Sequence, residues 1–228
     1  HAPGLTGKNL NAYIAAGIHS DHESTTASEA REKLIAGLHI MIREGTTEKN
    51  LIDLASIVTP ANSHRCFFCS DDRSAHDLIK RGHVDDILRM AVKAGIPPIT
   101  ALQMATNNAP YYFRLKRRKG AVAIGYVADL VVFDDLKNFR AKKVFKDGKL
   151  VAKNGKLLAP CTPSHKPPVG NSVHIKKISK NALKISGRNG KVRAIKLVPN
   201  QITTLVELIA PKISDGLVVS DIERDLLK

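Results

Sequence analysis

The chain has 228 residues, 43% of them hydrophobic, and a formal net charge of +15 at pH 7. This length and hydrophobic content are sufficient for a substantial core in one large domain or two ordinary ones. No apolar run approaches the roughly 18 residues of a membrane span, and the small, odd number of cysteines argues against a disulfide framework, so we expect a reduced, cytoplasmic protein with no membrane association.

The first half of the chain alternates between predicted helices and predicted strands. Apolar runs and turn signals predict strands near 17–20, 38–45 and 65–70. Helices are predicted at 8–16, 26–36, 48–57, 75–94 in two pieces around Gly82, and from Pro97 toward Asn107. Such alternation is typical of a parallel α/β sheet, but three strands are too few for a complete eight-stranded barrel. We therefore predict that residues 1–119 are the C-terminal portion of a TIM-like (β/α)8 barrel.

From about residue 120 the pattern changes to short strands separated by turns. Strands are predicted at 128–133, 141–146 and 149–153, with hairpin or turn signals at Asp147-Gly148 and Asn154-Gly155. Residues 120–158 are thus predicted to form a small β domain, and the proline-rich segment 159–172 is predicted to be a linker. Beyond the linker, further short strands are predicted at 173–178, 183–186, 192–198, 203–208 and 217–220.

All of the excess positive charge lies in this second half. Residues 1–113 contain 11 Lys/Arg against 12 Asp/Glu, whereas residues 114–228 contain 25 against 9. One hypothesis is therefore a basic nucleic-acid-binding module. However, the basic half has few aromatic residues for base stacking, and its lysines alternate with apolar residues as on the solvent face of a sheet. We predict a solvated β surface and no nucleic-acid partner.

The first predicted strand ends in a group of chemically active side chains. His19, Asp21, His22 and Glu23 supply two imidazoles and two carboxylates within five residues. Polar groups at the carboxyl ends of barrel strands form active sites, and a neutral imidazole binds zinc, iron and similar metals. Residues three apart on an extended chain point to opposite faces, so His19 and His22 compete as the ligand, and we prefer His22. The alternative is that His22 is a surface residue beside the next helix.

The third predicted strand ends in Ser70-Asp71-Asp72-Arg73. The two consecutive carboxylates should point in different directions, so one can bind a metal and act as a general base while the other caps the next helix or pairs with Arg73. The alternative is that both simply open a helix. We predict Asp71 as the ligand and base, and Asp72 and Arg73 as candidate substrate-binding residues.

Two other groups near these strands are interpreted as structural. Arg43 and Glu44, at the end of the second strand, are predicted to form an ion pair. Cys66 and Cys69 have the spacing of a metal or redox pair, but on an extended strand their side chains would not face the same way.

Six segments occur in order along the chain: His1-Ala2-Pro3-Gly4-Leu5, Ser20-Asp21-His22-Glu23-Ser24-Thr25-Thr26, Arg43-Glu44-Gly45-Thr46, Asp71-Asp72-Arg73, Ala101-Leu102-Gln103-Met104-Ala105-Thr106 and Gly125-Tyr126-Val127-Ala128-Asp129-Leu130. Together they resemble the adenine deaminases of bacteria and archaea, a family within the amidohydrolase superfamily. The resemblance spans nearly the whole chain and is most specific from 1 to 155. It implies that 120–158 form the small β-sandwich of an amidohydrolase and that 173–228 begin a further C-terminal α+β domain.

The resemblance also implies a set of metal ligands. His1, His22 and Asp71 would lie at the ends of barrel strands five, six and eight. They would hold part of a binuclear divalent centre containing manganese or iron, with zinc as a further candidate. The His-x-His pair of strand one and the carboxylate of strand four precede His1 in the family and are absent from this sequence. Ile124 stands where the family often has proline.

The implied reaction is hydrolytic deamination of adenine to hypoxanthine and ammonia by a metal-activated water, as in purine salvage. Asp71 would take the proton from the water, and Glu23 would bind the purine or relay a proton. We expect a cytoplasmic homo-oligomer. The alternatives are a non-catalytic fragment or another amidohydrolase that acts on a purine-like or cyclic amide substrate. Because half of the ligands are missing, we expect these 228 residues alone to be inactive.

Overall fold

The computed structural model describes residues 1–115, 118–158, 170, 172–187 and 190–228. The chain divides into two compact units, His1–Pro160 with Pro199–Thr203, and Cys161–Val198 with Thr204–Lys228. The first unit contains an α/β part and a small antiparallel sheet. Among the described residues, none of the helices has the length and apolar character needed to cross a membrane.

The α/β part is built from three short strands and seven helices within the described residues. The strands are β1 (Ser20–Asp21), β2 (His39–Arg43) and β3 (Cys66–Cys69). The helices are α1 (Gly7–Ala15), α2 (Ala27–Ile35), α3 (Leu51–Leu54), α4 (Ala75–Lys80), α5 (Val84–Lys93), α6 (Pro98–Ala105) and α7 (Asn108–Tyr112). Two 3-10 turns, Ala55–Ile57 and Ser63–Arg65, lie between α3 and β3.

The three strands form a parallel sheet in sequence order. β1 pairs with the start of β2, and β2 pairs with β3 from Ile40 opposite Cys66 to Arg43 opposite Cys69. Parallel neighbours need crossover connections, which the segments containing α2 and α3 provide. Consequently the carboxyl ends of all three strands lie at the same edge of the sheet, where a barrel places its catalytic loops.

The hydrophobic core lies between the sheet and the helices that cover one face of it. Ile40 and Ile42 alternate along β2 and are fully buried, which is the pattern expected for one face of a strand. They pack in a cluster to which α2, α5 and α6 contribute Ala30, Leu34, Ile87, Leu88, Ala91, Ala101 and Met104. Burial of this apolar surface stabilises the α/β part at roughly 25 cal/mol per Å² removed from water.

The predicted order of helices and strands in the α/β part is confirmed, with two differences. The helix predicted at 48–57 is divided into α3 and a 3-10 turn. The short helix α7 was not predicted, because Asn107, Asn108 and Pro110 are residues typical of turns. Pro110 is tolerated there because it occupies the first turn, where its missing N–H leaves no intrahelical bond unmade.

The small β domain contains a four-stranded antiparallel sheet. Its strands are β4 (Leu130–Phe133), β5 (Ala141–Lys146), β6 (Lys149–Lys153) and β7 (Lys156–Leu157), in that order. Both predicted turns are confirmed, since Asp147-Gly148 and Asn154-Gly155 have positive φ at each residue, as a type I′ hairpin requires. The described residues form one sheet, and a sandwich remains a prediction.

The second unit contains two β-hairpins. β8 (Val192–Leu197) pairs with β9 (Thr204–Ile209), and β10 (Lys212–Ser214) pairs with β11 (Leu217–Val219). The strand predicted at 173–178 is wrong: its alternating apolar residues are exposed and have no partner strand among the described residues. The strand predicted at 183–186 is replaced by a 3-10 turn, Lys180–Leu183, and an isolated bridge at Ser186. The predicted linker 159–172 lies almost entirely outside the described residues, and the α+β assignment of 173–228 remains a prediction.

One buried side chain connects α7 to the sheet. The Asn108 side-chain amide donates hydrogen bonds to the carbonyls of Ser63 and Cys66, both at 2.8 Å, and the residue is buried.

We predict that Asn108→Ala lowers the free energy of unfolding by about 1–3 kcal/mol, because buried carbonyl oxygens lose their donor. Urea unfolding measures the change. Asn107→Ala, at the neighbouring exposed position, is the matched control and should stay within about 0.5 kcal/mol of the parent. Equal effects of the two substitutions would contradict this account.

Candidate metal centre

Three strand ends and the first residue of the chain converge at one edge of the sheet. His22 and Glu23 follow β1, Arg43 ends β2 and Asp71 lies two residues beyond β3. The position of His1 is fixed because Ala2 is buried and its N–H donates to Asp21 Oδ1 at 3.1 Å. The parallel register therefore brings together residues that are up to 70 positions apart in the sequence.

His1, His22 and Glu23 form the closest cluster of metal-binding groups. One ligand atom from each lies within 4.8 Å of the other two. His1 Nδ1 is 2.6 Å from Glu23 Oε1, and His22 Nε2 is 3.8 Å from the same oxygen. The two imidazole rings meet edge to face with centroids 4.8 Å apart. Two ring nitrogens and a carboxylate oxygen are thus gathered around one point.

Asp71 lies beside this cluster in an uncommon backbone conformation. Its Oδ2 is 3.9 Å from His22 Nε2, and its φ of +47° lies in the left-handed region. Aspartate tolerates that region better than most residues, and such conformations concentrate at functional sites. Arg43 Nη1 donates to Asp71 Oδ2 at 2.5 Å, and this contact orients the carboxylate.

The donor set fits a divalent metal. Imidazole nitrogen and carboxylate oxygen are the ligands of catalytic zinc and of the non-haem iron class of sites. His22 Nε2 is buried and has no hydrogen-bond partner among the described residues, whereas buried polar atoms are nearly always partnered. A bound cation would supply the missing partner of that nitrogen.

The structure favours His22 over His19 as the residue of this cluster. The His19 side chain is exposed, and its carbonyl accepts the backbone N–H of His39 at the start of the sheet. The reason is the alternation along the extended chain, which turns the two imidazoles in different directions.

Asp72 and Arg73, the candidate substrate-binding residues, have their contacts elsewhere. Asp72 accepts hydrogen bonds from the backbone N–H and the hydroxyl of Thr47. Burial alone would raise the pKa of Asp72, but these and further hydrogen bonds hold that pKa below its ordinary value. The Arg73 guanidinium is buried and pairs with Asp86 of α5. These contacts tie the loop after β3 to its neighbours, and a role in substrate binding stays a prediction.

Arg43 and Glu44 do not have the partners that the sequence suggested. Arg43 pairs with Asp71, while Glu44 Oε2 accepts the backbone N–H of Leu51 at 3.4 Å. Burial raises the pKa of Glu44 despite that hydrogen bond. The sequence signal that could have identified Arg43 as a site residue is its position at the end of β2, in line with His22 and Asp71.

A buried ion cluster lies beneath the two histidines. Lys33 of α2 is fully buried, and its Nζ lies 2.9 Å from Asp21 Oδ2 and 2.6 Å from Glu29 Oε1. Burial alone would raise the pKa of Asp21, but the hydrogen bond and charge of Lys33, with the hydroxyl of Ser24, hold that pKa below its ordinary value. Glu29 and Lys33 have the i,i+4 spacing of a helical ion pair, a spacing that does not indicate whether the pair is buried.

The two cysteines of β3 are unsuited to thiolate chemistry. Burial raises the pKa of Cys66 and of Cys69 to about 12, so both remain protonated thiols at neutral pH. This agrees with the expectation that the pair is structural.

The chain matches a family model described as "Amidohydrolase family" over residues 1–151. It is 48% identical over 229 residues to "Adenine deaminase 2" of Carboxydothermus hydrogenoformans and 45% identical over 229 residues to "Adenine deaminase" of Dehalococcoides mccartyi. In each case the match covers 100% of this chain and 40% of the relative, so the chain spans about two fifths of the length of these relatives. Among solved structures, an amidohydrolase from Thermotoga maritima is similar with a TM-score of 0.49 at 16% identity, over 66% of this chain and 42% of that chain.

We predict that His22→Ala in the full-length protein weakens binding of Mn²⁺ more than about 100-fold, since even residues that only support a metal ligand contribute 10–100-fold. Electron paramagnetic resonance of free Mn²⁺ during titration measures the affinity, and circular dichroism checks that the variant is folded. His76→Ala, an exposed histidine on α4, is the control and should bind Mn²⁺ like the parent. Unchanged affinity in the His22 variant would show that this imidazole is not a ligand.

Proposed function

The chain belongs to the amidohydrolase family, and from this we propose that it forms the C-terminal part of the active site of a metal-dependent adenine deaminase. The observation that supports the proposal most directly is the convergence of His1, His22 and Glu23 within 4.8 Å, with Asp71 adjacent. Relatives named adenine deaminase are 41–48% identical over the whole chain, which supports adenine as the substrate.

His1, His22 and Asp71 are the residues proposed to hold the metal. When bound, a divalent metal supplies Lewis acidity and lowers the pKa of a water so that it becomes a nucleophile near neutral pH. We propose manganese or iron, with zinc as a further candidate, in a binuclear centre completed by ligands outside this sequence. The buried His22 Nε2, which has no hydrogen-bond partner among the described residues, and the Asp71 carboxylate 3.9 Å from it support this donor assignment.

Asp71 is the proposed general base. Its carboxylate is 45% exposed, so it can meet a water or a substrate in the site while Arg43 holds one of its oxygens. A base needs its acceptor within hydrogen-bond reach of the proton that it removes. Arg43 donates to Asp71 Oδ2, which leaves Oδ1 to take this proton. The same carboxyl can return the proton to the ring nitrogen or to the departing ammonia.

Glu23 is proposed to act beside Asp71 rather than in its place. Its side chain is only 8% exposed and already contacts His1 Nδ1, so its first effect is to orient the His1 ring. A carboxylate that accepts from one ring nitrogen fixes the tautomer and leaves the other nitrogen free for a metal. From this position the Glu23 carboxylate can also accept a hydrogen bond from a purine bound at the site.

The wider setting of the enzyme is also a proposal. A role in purine salvage, a cytoplasmic location and a homo-oligomeric state agree with the proposed reaction. The basic second half is proposed to be a solvated β surface without a nucleic-acid partner. Its lysines lie on short strands such as β5, where Lys142, Lys143 and Lys146 are exposed.

We predict that the full-length protein, loaded with Mn²⁺ or Fe²⁺, converts adenine to hypoxanthine with release of ammonia, and that Asp71→Asn reduces kcat about 10²–10⁴-fold, the usual contribution of a general acid–base group. Ammonia release and the change in purine absorbance measure the rate. Asp53→Asn, at an exposed position on α3, is the control and should retain full activity.

Two results would contradict this proposal. The first is a metal-loaded enzyme that leaves adenine unchanged but deaminates cytosine or hydrolyses a cyclic amide, which would make it an amidohydrolase of different specificity. The second is full turnover in the Asp71→Asn variant, which would move the base to another residue.

A further inference from the structure

We propose that Lys33 is a positioning residue for the metal centre, because its ammonium joins the segment that contains His1 to the loop that contains His22. The inference rests on the proposed metal site and concerns a residue that would touch neither metal nor substrate. It follows from four contacts of one buried nitrogen.

The contacts of Lys33 Nζ divide between two separate segments. On the first segment, Nζ is 2.5 Å from the carbonyl oxygen of Ala2, the residue next to His1. On the second, it is 2.9 Å from Asp21 Oδ2 and 3.2 Å from Ser24 Oγ, which lie on either side of His22 and Glu23. The fourth contact is Glu29 Oε1, one turn earlier on α2, at 2.6 Å.

The two carboxylates extend the same connection through the backbone. Asp21 Oδ1 accepts the N–H of Ala2 at 3.1 Å, and Glu29 Oε1 accepts the N–H of Gly4 at 2.7 Å. Glu29 Oε2 also accepts the N–H of Thr25 at 3.1 Å. Hence two backbone N–H groups of the segment that contains His1, those of Ala2 and Gly4, donate to carboxylates that Lys33 neutralises.

The burial of this cluster explains why one residue can have such an effect. The side chains of Lys33 and Asp21 are 0% exposed and that of Glu29 is 7% exposed. Without the ammonium, two buried carboxylates would face each other and the Ala2 carbonyl with no cation between them, an arrangement of high cost. The segment around Ala2 and the loop at 21–24 would separate to admit water, and His1 would move away from His22.

Such a movement would weaken metal binding more than it would destabilise the rest of the fold. The hydrophobic core includes Ala30 and Leu34 of α2, the helix that carries Lys33, but most of its residues lie on β2, α3, α5 and α6, which take no part in these four bonds. Residues that orient metal ligands typically contribute 10–100-fold to metal affinity. We therefore expect Mn²⁺ affinity to fall while the protein remains folded.

The test is Lys33→Met in the full-length protein, which removes the charge and keeps the length of the side chain. Binding of Mn²⁺ is titrated by electron paramagnetic resonance at a temperature at which circular dichroism shows the variant to be folded. The expected result is a dissociation constant 10–100 times higher than that of the parent. The matched control is Lys93→Met, because Lys93 also lies in the last turn of a helix, α5, but is exposed. It should bind Mn²⁺ like the parent.

Other outcomes decide against the proposal. If folded Lys33→Met protein binds Mn²⁺ with the parent affinity and only its Tm is lower, Lys33 is merely structural and the proposal is overturned. Should Lys33→Met not fold, Ser24→Ala and Glu29→Gln each remove part of the same cluster and should weaken Mn²⁺ binding about tenfold. Parent-like affinity in both would overturn it as well.

Titration of the parent protein with Mn²⁺, together with its adenine deaminase assay, separates the role proposed for Lys33 from the proposed function. A parent protein that binds Mn²⁺ but does not deaminate adenine would overturn the proposed function and leave the role of Lys33 standing. A parent protein that binds no Mn²⁺ would overturn both.

Discussion

The buried ammonium of Lys33, with the carboxylates of Asp21 and Glu29, determines how the candidate metal centre is assembled. Coulombic attraction between buried charges is strong but compensates their desolvation only when hydrogen bonds satisfy the remaining lone pairs. Here those bonds come from Ala2, Gly4 and the loop after β1. The cluster therefore stabilises one specific arrangement of the two segments, and the positions of His1 and His22 follow from it.

The parallel sheet provides the second constraint. Because β1, β2 and β3 run in the same direction and in sequence order, their carboxyl ends present His22, Arg43 and Asp71 side by side. Arg43 and Lys33 have comparable tasks, since each contacts an acidic partner from a buried position. The orientation of the acidic groups at the candidate site thus depends on two buried cations, the Arg43 guanidinium and the Lys33 ammonium. A substitution at either cation would alter the reacting groups without touching them.

Sequence reasoning predicts the elements, and it also predicts most of the residues that the structure brings together at the candidate site, because both have local signals. Alternation of strands and helices predicts the parallel sheet, and the strand ends predict His22 and Asp71 as neighbours. Lys33 is different, since its i,i+4 spacing from Glu29 is the same for an exposed pair and for a buried one. The burial of Lys33 depends on the path of the segment around Ala2, and no local sequence pattern predicts that path. The partner of Arg43 was missed for the same reason, because the contact with Asp71 spans 28 positions.

The most direct test of this account is anomalous diffraction from crystals of the full-length protein grown with Mn²⁺. We predict an anomalous peak in contact with ring nitrogens of both His1 and His22, with Asp71 adjacent and with Lys33 still bound to Asp21 and Ala2. A manganese site elsewhere in the protein, with His22 Nε2 hydrogen-bonded to a protein group instead, would contradict it.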